Sequence, residues 1–161
     1  MKKLLCTVAL FGMLAVPAAA VAQINIGPLA AFHDDFDFGV GAFAGIPVPS
    51  LDENLSIVPS FVYYFPDNFD AWEMNGDVVY AFEVSDDTPV LPFAFAGLNL
   101  TRVSVDLGTF GSASSTEMGL NLGGGIQFRS ESVNPFSGAK FTLGDFDGFV
   151  IFGGVGFAVG G

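Results

Sequence analysis

The stretch Glu117-Met118-Gly119-Leu120-Asn121-Leu122-Gly123-Gly124-Gly125-Ile126-Gln127-Phe128-Arg129 sorts by parity. Its even positions Met118, Leu120, Leu122, Ile126 and Phe128 are apolar. Its odd positions Glu117, Gly119, Asn121, Gly123, Gly125, Gln127 and Arg129 are polar or very small. Side chains alternate across a β-strand, so these sets form two faces of unlike chemistry. Ala71–Val84 repeats the pattern: Trp72, Met74, Val78, Tyr80, Phe82 and Val84 share one parity, and Glu73, Asn75, Asp77, Ala81 and Glu83 the other, with Val79 the exception. Near the end of the chain, Phe149, Ile151, Val155, Phe157 and Val159 oppose Gly154, Gly156 and Ala158. Val90–Asp106 breaks the rule, with Phe93 and Phe95 on odd positions but Leu98 and Leu100 on even ones. A β-bulge near Gly97, which would reverse the facing, is expected there.

Working outward from these segments, the sequence predicts eight strands: Ile24–His33, Asp37–Ile46, Ser56–Phe65, Ala71–Val84, Val90–Asp106, Thr116–Ser130, Phe136–Leu143 and Phe149–Val159. Turn signals separate them at His33-Asp34-Asp35, Pro47–Asn54, Pro66-Asp67-Asn68, Asp86-Asp87-Thr88-Pro89, Gly108–Ser115, Asn134-Pro135 and Gly144–Gly148. Most of these strands have the roughly 9–11 residues that a tilted strand needs to cross a bilayer. An even count lets an up-and-down barrel close without an exposed edge, as lipid demands. The predicted class is all-β: an eight-stranded antiparallel up-and-down transmembrane β-barrel over residues 23–161.

Composition agrees. The chain is 51% hydrophobic with 19 Phe and has a mean hydropathy of +0.56, yet no apolar run after the leader is long enough for a spanning helix. In a soluble barrel the polar face would meet water and carry many Lys, Glu and Thr. Here that face is rich in Gly, Ala, Ser and Asn, as a narrow lumen requires. After Lys2 and Lys3 the only basic residues are Arg102, Arg129 and Lys140, and all three are assigned to the inner face with Glu73, Asp77, Glu83 and Glu117. An unpaired charge in a low-dielectric interior is costly. Arg102 and Arg129 are therefore expected to contact some of the four acids, and Lys140 a lumenal acid or carbonyl. Phe32, Phe38, Phe61, Tyr63, Phe65, Phe69 and Trp72 are assigned to an aromatic girdle at one rim, and Tyr80, Phe82, Phe93, Phe128 and Phe157 to one at the other.

The N-terminus reads as an export signal over residues 1–22. Met1-Lys2-Lys3 is basic, Leu4 to Val16 is apolar, and Ala20-Val21-Ala22 offers small residues at cleavage spacing, leaving Gln23 as the mature start. Cys6, the sole cysteine, falls within that segment, so the mature chain has no disulfide.

Pro92–Leu100 (PFAFAGLNL) resembles the "proline, aromatic, small residues, glycine" strand of small bacterial outer-membrane β-barrel proteins. Gly119–Arg129 resembles their following glycine-rich strand, closed by an aromatic and a basic residue, and Gly154-Val155-Gly156-Phe157 their last strand. The resemblance implies a porin-like or opacity-like barrel in the bacterial outer membrane, in contact with its lipid and with the barrel-assembly machinery. Such chains usually end on an aromatic; here Phe157 is followed by Ala158-Val159-Gly160-Gly161.

The residues of a hydrolytic triad exist as His33, Asp34 or Asp35, and Ser104 or Ser112, but a triad is a geometry and the sequence does not supply one. One histidine and no mature cysteine leave too few ligands for a His/Cys metal site, and Gly123-Gly124-Gly125 precedes no helix, so it is no phosphate loop. No basic surface for nucleic acid is present, and no cofactor is implied. The chain holds 17 acids. If the mature chain starts in the periplasm, Asp34, Asp35, Asp67, Asp70, Asp145 and Asp147 lie on outer loops. That rim reads first as a solvated surface, with divalent-cation bridging to anionic headgroups as the sharper alternative. The expectation is a monomeric, non-enzymatic outer-membrane barrel, structural or interaction-mediating. A narrow diffusion channel and a lipid-modifying barrel enzyme are the other readings. N-terminal sequencing of the protein recovered from the outer-membrane fraction should return Gln23 as the first residue; an intact Met1 would refute the processing.

Overall fold

β1 (Ile24–His33) pairs antiparallel with β2 (Asp37–Pro47), and each later strand with its predecessor: β3 (Leu55–Tyr64), β4 (Asp70–Ala81), β5 (Val90–Asp106), β6 (Ser112–Phe128), β7 (Val133–Gly144) and β8 (Gly148–Val159). β8 returns to pair with β1, Ile24 against Val159 and His33 against Val150, and the sheet closes as an eight-stranded barrel. This computed structural model describes residues 23–85, 88–129 and 132–160. The expected leader (1–22), Asp86-Asp87 of one turn and Ser130 at the end of the sixth strand lie outside the described residues.

Parity sets the facing. Leu122 is 59% exposed and its neighbour Asn121 is 2% exposed. Met118, Leu120, Ile126 and Phe128 point outward with Leu122, as do Met74, Val78 and Tyr80 on β4 and Ile151, Phe157 and Val159 on β8. The outer wall is thus an apolar belt, and the inner wall carries Glu73, Asn75, Asp77, Asn99, Thr101, Asn121, Lys140 and Thr142, all buried. An outward apolar surface of this extent is stable only against lipid. Among the described residues no helix is long and apolar enough to cross a membrane.

Aromatic pairs mark both ends of the belt. Phe61 and Trp72 lie 5.9 Å apart and Tyr63 and Phe65 5.2 Å apart toward the end bearing the β1–β2, β3–β4, β5–β6 and β7–β8 turns, here called the loop end. Tyr80 and Phe82 lie 5.3 Å apart toward the end that holds both chain termini, the terminal end.

Several expectations are corrected. β5 has no bulge at Gly97: its register runs unbroken, from Asp70 opposite Ser104 to Ala81 opposite Phe93, and from Val90 opposite Phe128 to Asp106 opposite Ser112. Phe93 and Phe95 instead point into the lumen, so Phe93 is not a girdle residue. They fit because a Cβ on Gly125 or Gly123 of the adjacent β6 would collide with the Phe93 or Phe95 ring; the glycine is the space that the ring occupies. Phe69 also leaves the girdle and packs against the inner core. With the register unbroken, Arg102 keeps the outward parity of Leu98 and Leu100 and donates to Ser114 Oγ at 3.1 Å. The turn expected at Gly108–Ser115 shrinks to a short 3-10 turn at Gly108–Phe110, because Ser112–Ser115 find ladder partners on β5. β5 and β6 are 17 residues each, and their hairpin rises beyond its neighbours.

Leu122→Arg should lower stability by about 2–4 kcal/mol if Leu122 sits near the bilayer midplane, measured by denaturant unfolding in lipid vesicles. Lipid-dissolved spin labels should quench a probe at Leu122 and spare one at Asn121.

Candidate functional site

The interior is layered along the barrel axis, and the first layer closes the loop end. The β1–β2 hairpin is tight, with His33 opposite Asp37. It ends on Asp37 in the left-handed region at φ 61°, a conformation that aspartate tolerates better than most residues. This turn swings Phe36 inward over the mouth. Its ring stacks on the buried His33 imidazole at 4.2 Å and meets Tyr64 at 5.6 Å, Phe69 at 6.0 Å and Phe146 at 6.4 Å. The Phe149 amide donates to Asp34 Oδ1 at 3.0 Å, and the Asp34 amide to the Phe149 carbonyl at 3.1 Å, tying the turn to β8. Three loops each contribute a phenylalanine, and Val62, Ala71 and Val150 pack below them.

The second layer is polar. Lys140 Nζ on β7 donates to Glu73 Oε1 on β4 at 2.9 Å and to Asn75 Oδ1 at 3.0 Å. Asn75 Oδ1 also accepts from Asn99 Nδ2 at 2.9 Å and Asn121 Nδ2 at 2.8 Å, while Asn75 Nδ2 donates to Glu73 Oε1 and Ser60 Oγ, both at 3.2 Å. Asn99 Nδ2 reaches Glu73 Oε2 at 3.2 Å. Asn121 Nδ2 reaches Asp77 Oδ1 at 3.0 Å, and the Thr101 and Thr142 hydroxyls donate to Asn99 Oδ1 at 2.6 Å and Asn121 Oδ1 at 3.0 Å. Asn121 can reach β4 across β5 because the intervening position is Gly97, paired with Asp77 on one side and Asn121 on the other. A Cβ at Gly97 would collide with the Asp77 carboxylate. Such a network repays the desolvation of its charges only when nearly every lone pair and proton finds a partner.

Of the seven charged residues assigned to the lumen, the structure brings Glu73, Asp77 and Lys140 together. Glu117 has the inward parity but lies nearer the loop end, accepting from the Ser115 hydroxyl at 2.8 Å. Glu83 lies beyond β4, exposed, and accepts from Asn54 Nδ2 at 3.1 Å. Arg102 faces outward, and Arg129 is exposed just past the end of β6. Neither arginine meets the lumenal acids, because Arg102 has the wrong parity and Arg129 has left the barrel wall. The cluster's missing partners are amides and hydroxyls. Asn75, Asn99 and Asn121 sit at inward parity on three consecutive strands, and that pattern is visible in the sequence.

The triad is not assembled. His33 is buried on β1, its Nδ1 accepting from the Asp35 amide at 3.0 Å, while Ser104 has outward parity on β5, which shares no ladder with β1. Ser112 is exposed at the top of the long hairpin. His33, Asp34 and Asp35 place three potential ligand atoms within 4.8 Å of one another, but His33 Nδ1 and Asp34 Oδ1 already accept the backbone amides that hold the turn.

No protein-family model matches the chain, and no curated protein matches it in sequence. Solved structures do. The N-terminal β-barrel domain of Pseudomonas aeruginosa OprF superposes with a TM-score of 0.71 at 16% identity, over 85% of this chain and 97% of that one. The fold is that of the small outer-membrane barrels. Neisserial surface protein A gives 0.70 at 20% identity, over 88% of this chain and 100% of that one. Ail, the attachment invasion locus protein of Yersinia pestis, gives 0.60 at 15% identity, over 84% and 95%.

Lys140→Met leaves the Glu73 carboxylate buried without its cation and should cost about 3–5 kcal/mol. Adding Glu73→Gln should recover part of the loss, giving a non-additive cycle in denaturant unfolding. Gly97→Ala should cost about 1–3 kcal/mol by overpacking. Arg129→Ala, with its side chain exposed, should change stability little.

Proposed function

We propose that this chain is a non-enzymatic barrel of the bacterial outer membrane, structural or interaction-mediating, that carries no continuous aqueous path. The carrying observation is that the lumen is closed at the loop end and narrowed in the middle. Phe36, stacked on His33 and packed against Tyr64, fills the loop end, and the Glu73–Lys140 cluster occupies the middle on the side of β4 to β7. A barrel of eight strands has room for side chains and little else, and here those side chains hold one another in place. Small barrels such as the three above share this fold, which supports the location.

The partners follow from the surface. Lipid meets the apolar belt. The barrel closes on itself, so a monomer suffices. Phe157, exposed on the outer face of β8, offers an aromatic to the assembly machinery in place of a terminal one. Asp34, Asp35, Asp67, Asp70, Asp145 and Asp147 are exposed at the loop end, where divalent cations could bridge them to anionic headgroups. In planar bilayers the refolded protein should show no steady conductance, and in lipid extracts it should leave lipid A and phospholipid unchanged. A sustained single-channel current would favour the narrow diffusion channel, and a modified lipid the enzyme.

A further inference from the structure

Beside and below the polar cluster the lumen is not filled. A cavity of about 180 Å³ runs alongside the cluster, from Ala31, Val62 and Val150 under the loop-end core, toward the terminal end. Its walls include Phe43, Phe93, Phe95, Phe136 and Phe152, and Glu73, Asp77 and Lys140 lie at its inner end. The rings are held against one another: Phe43 and Phe136 meet edge to face at 4.9 Å, and Phe95 and Phe152 at 5.8 Å. Nearer the opening, Asn134 Nδ2 donates to Asn25 Oδ1 at 3.2 Å, placing a polar pair on the rim.

Charge and shape together select a ligand class. Glu73 is matched by Lys140 at 2.9 Å. Asp77 has no cation of its own. It is 8% exposed, and it accepts one hydrogen bond, at Oδ1 from Asn121. Its second oxygen receives no donor among the described residues, and Asp77 lines the cavity. With all three groups ionised the inner end is one negative charge in excess. The walls reinforce that sign, because the faces of aromatic rings attract cations, more strongly where water is excluded. In volume the cavity compares with one of about 150 Å³ that accepts a benzene ring.

We propose that this cavity is a binding site for a small monocationic amine carrying a single aromatic ring or an apolar group of similar bulk. The molecule enters by the terminal end. Its ammonium group hydrogen-bonds the free Asp77 oxygen, and its ring lies among Phe93, Phe95, Phe136 and Phe152. A carboxylate of the same shape would be repelled by Asp77, and a neutral alcohol would leave the excess charge unanswered. The site is blind, since Phe36, stacked on His33 and packed against Tyr64, closes the loop end above it, so the barrel holds such a molecule rather than passing it. This goes beyond the proposed function and does not require it: a sealed barrel without this site would still be a structural barrel.

The test is a ¹⁹F NMR titration of the full barrel in nanodiscs of zwitterionic lipid with 4-fluorobenzylamine, 4-fluorobenzyl alcohol and 4-fluorobenzoate, with protein-free nanodiscs as the blank. The amine should bind at least tenfold tighter than the alcohol, and the benzoate should not bind. Asp77→Asn should bring the amine to the affinity of the alcohol, and Val58→Trp, which fills the cavity, should abolish both. Equal affinities of amine and alcohol for the wild type, or no binding beyond the blank, would overturn the proposal, and this series needs no variant to fold. So would an amine preference that survives Asp77→Asn or Val58→Trp, since it would place the probe outside the cavity.

Discussion

A lysine ammonium held 2.9 Å from a glutamate inside the barrel, both side chains buried, is the contact on which the rest of the interior depends. Neither charge is tolerable there alone. Lys140 is the only buried lysine or arginine among the described residues, and Glu73 meets it directly. Three asparagines and two threonines supply the remaining hydrogen bonds. Asn75 Oδ1 accepts from the ammonium and from two other amides, so one side chain joins β4, β5, β6 and β7. The positions of those amides, and the absence of a side chain at Gly97, follow from that requirement.

Around this cluster the usual distribution of polarity is reversed and then partly restored. The outer wall is apolar because lipid is its solvent. The inner wall is polar in the middle and aromatic at both ends, but with different packing. At the loop end the rings come from turns and fold in over His33. At the other end they come from the strands and lie over glycines of neighbouring strands: Phe93 and Phe95 over Gly125 and Gly123, Phe136 and Phe152 over Gly154 and Gly138. A ring on one strand thereby covers backbone on the next, which compensates for the packing that a strand glycine forgoes. These four glycines are places where an aromatic already stands.

Much of this was legible in the sequence. Two-residue periodicity is a local property, so the faces of β4, β6 and β8 could be read residue by residue. So could the strand count, because Gly, Pro and Asp mark the reversals. The lumenal cluster was legible in part. Glu73, Asp77 and Lys140 have inward parity, but charge pairing alone does not predict the remaining partners, because the buried acid is satisfied largely by amides. Phe93 and Phe95 were misread for a related reason. An inner face that is polar throughout has no place for two phenylalanines, hence the expected bulge; Arg102 shares the parity of Leu98 and Leu100 and faces outward with them. What a single strand could not disclose was the cross-strand register, which sets each of these rings over a glycine on a neighbouring strand. Phe36 was invisible as well: its place in the mouth depends on the left-handed backbone of Asp37, not on any alternation.

The polar cluster also has a position around the circumference. Its charges, amides and threonine hydroxyls come from β4, β5, β6 and β7, with Ser60 of β3 at its margin. The seam where β8 meets β1 carries none of it; there Leu29 faces Gly154 and Ala31 faces Phe152. Every buried charge can thus find its partners on an open, curved sheet of consecutive hairpins, before the first and last strands have met. The closing step then joins two strands with no ionised group to desolvate along the seam. In a membrane, where an unpaired charge at that moment would raise the barrier to insertion, the location of the seam bears on how readily the barrel forms as well as on its final shape.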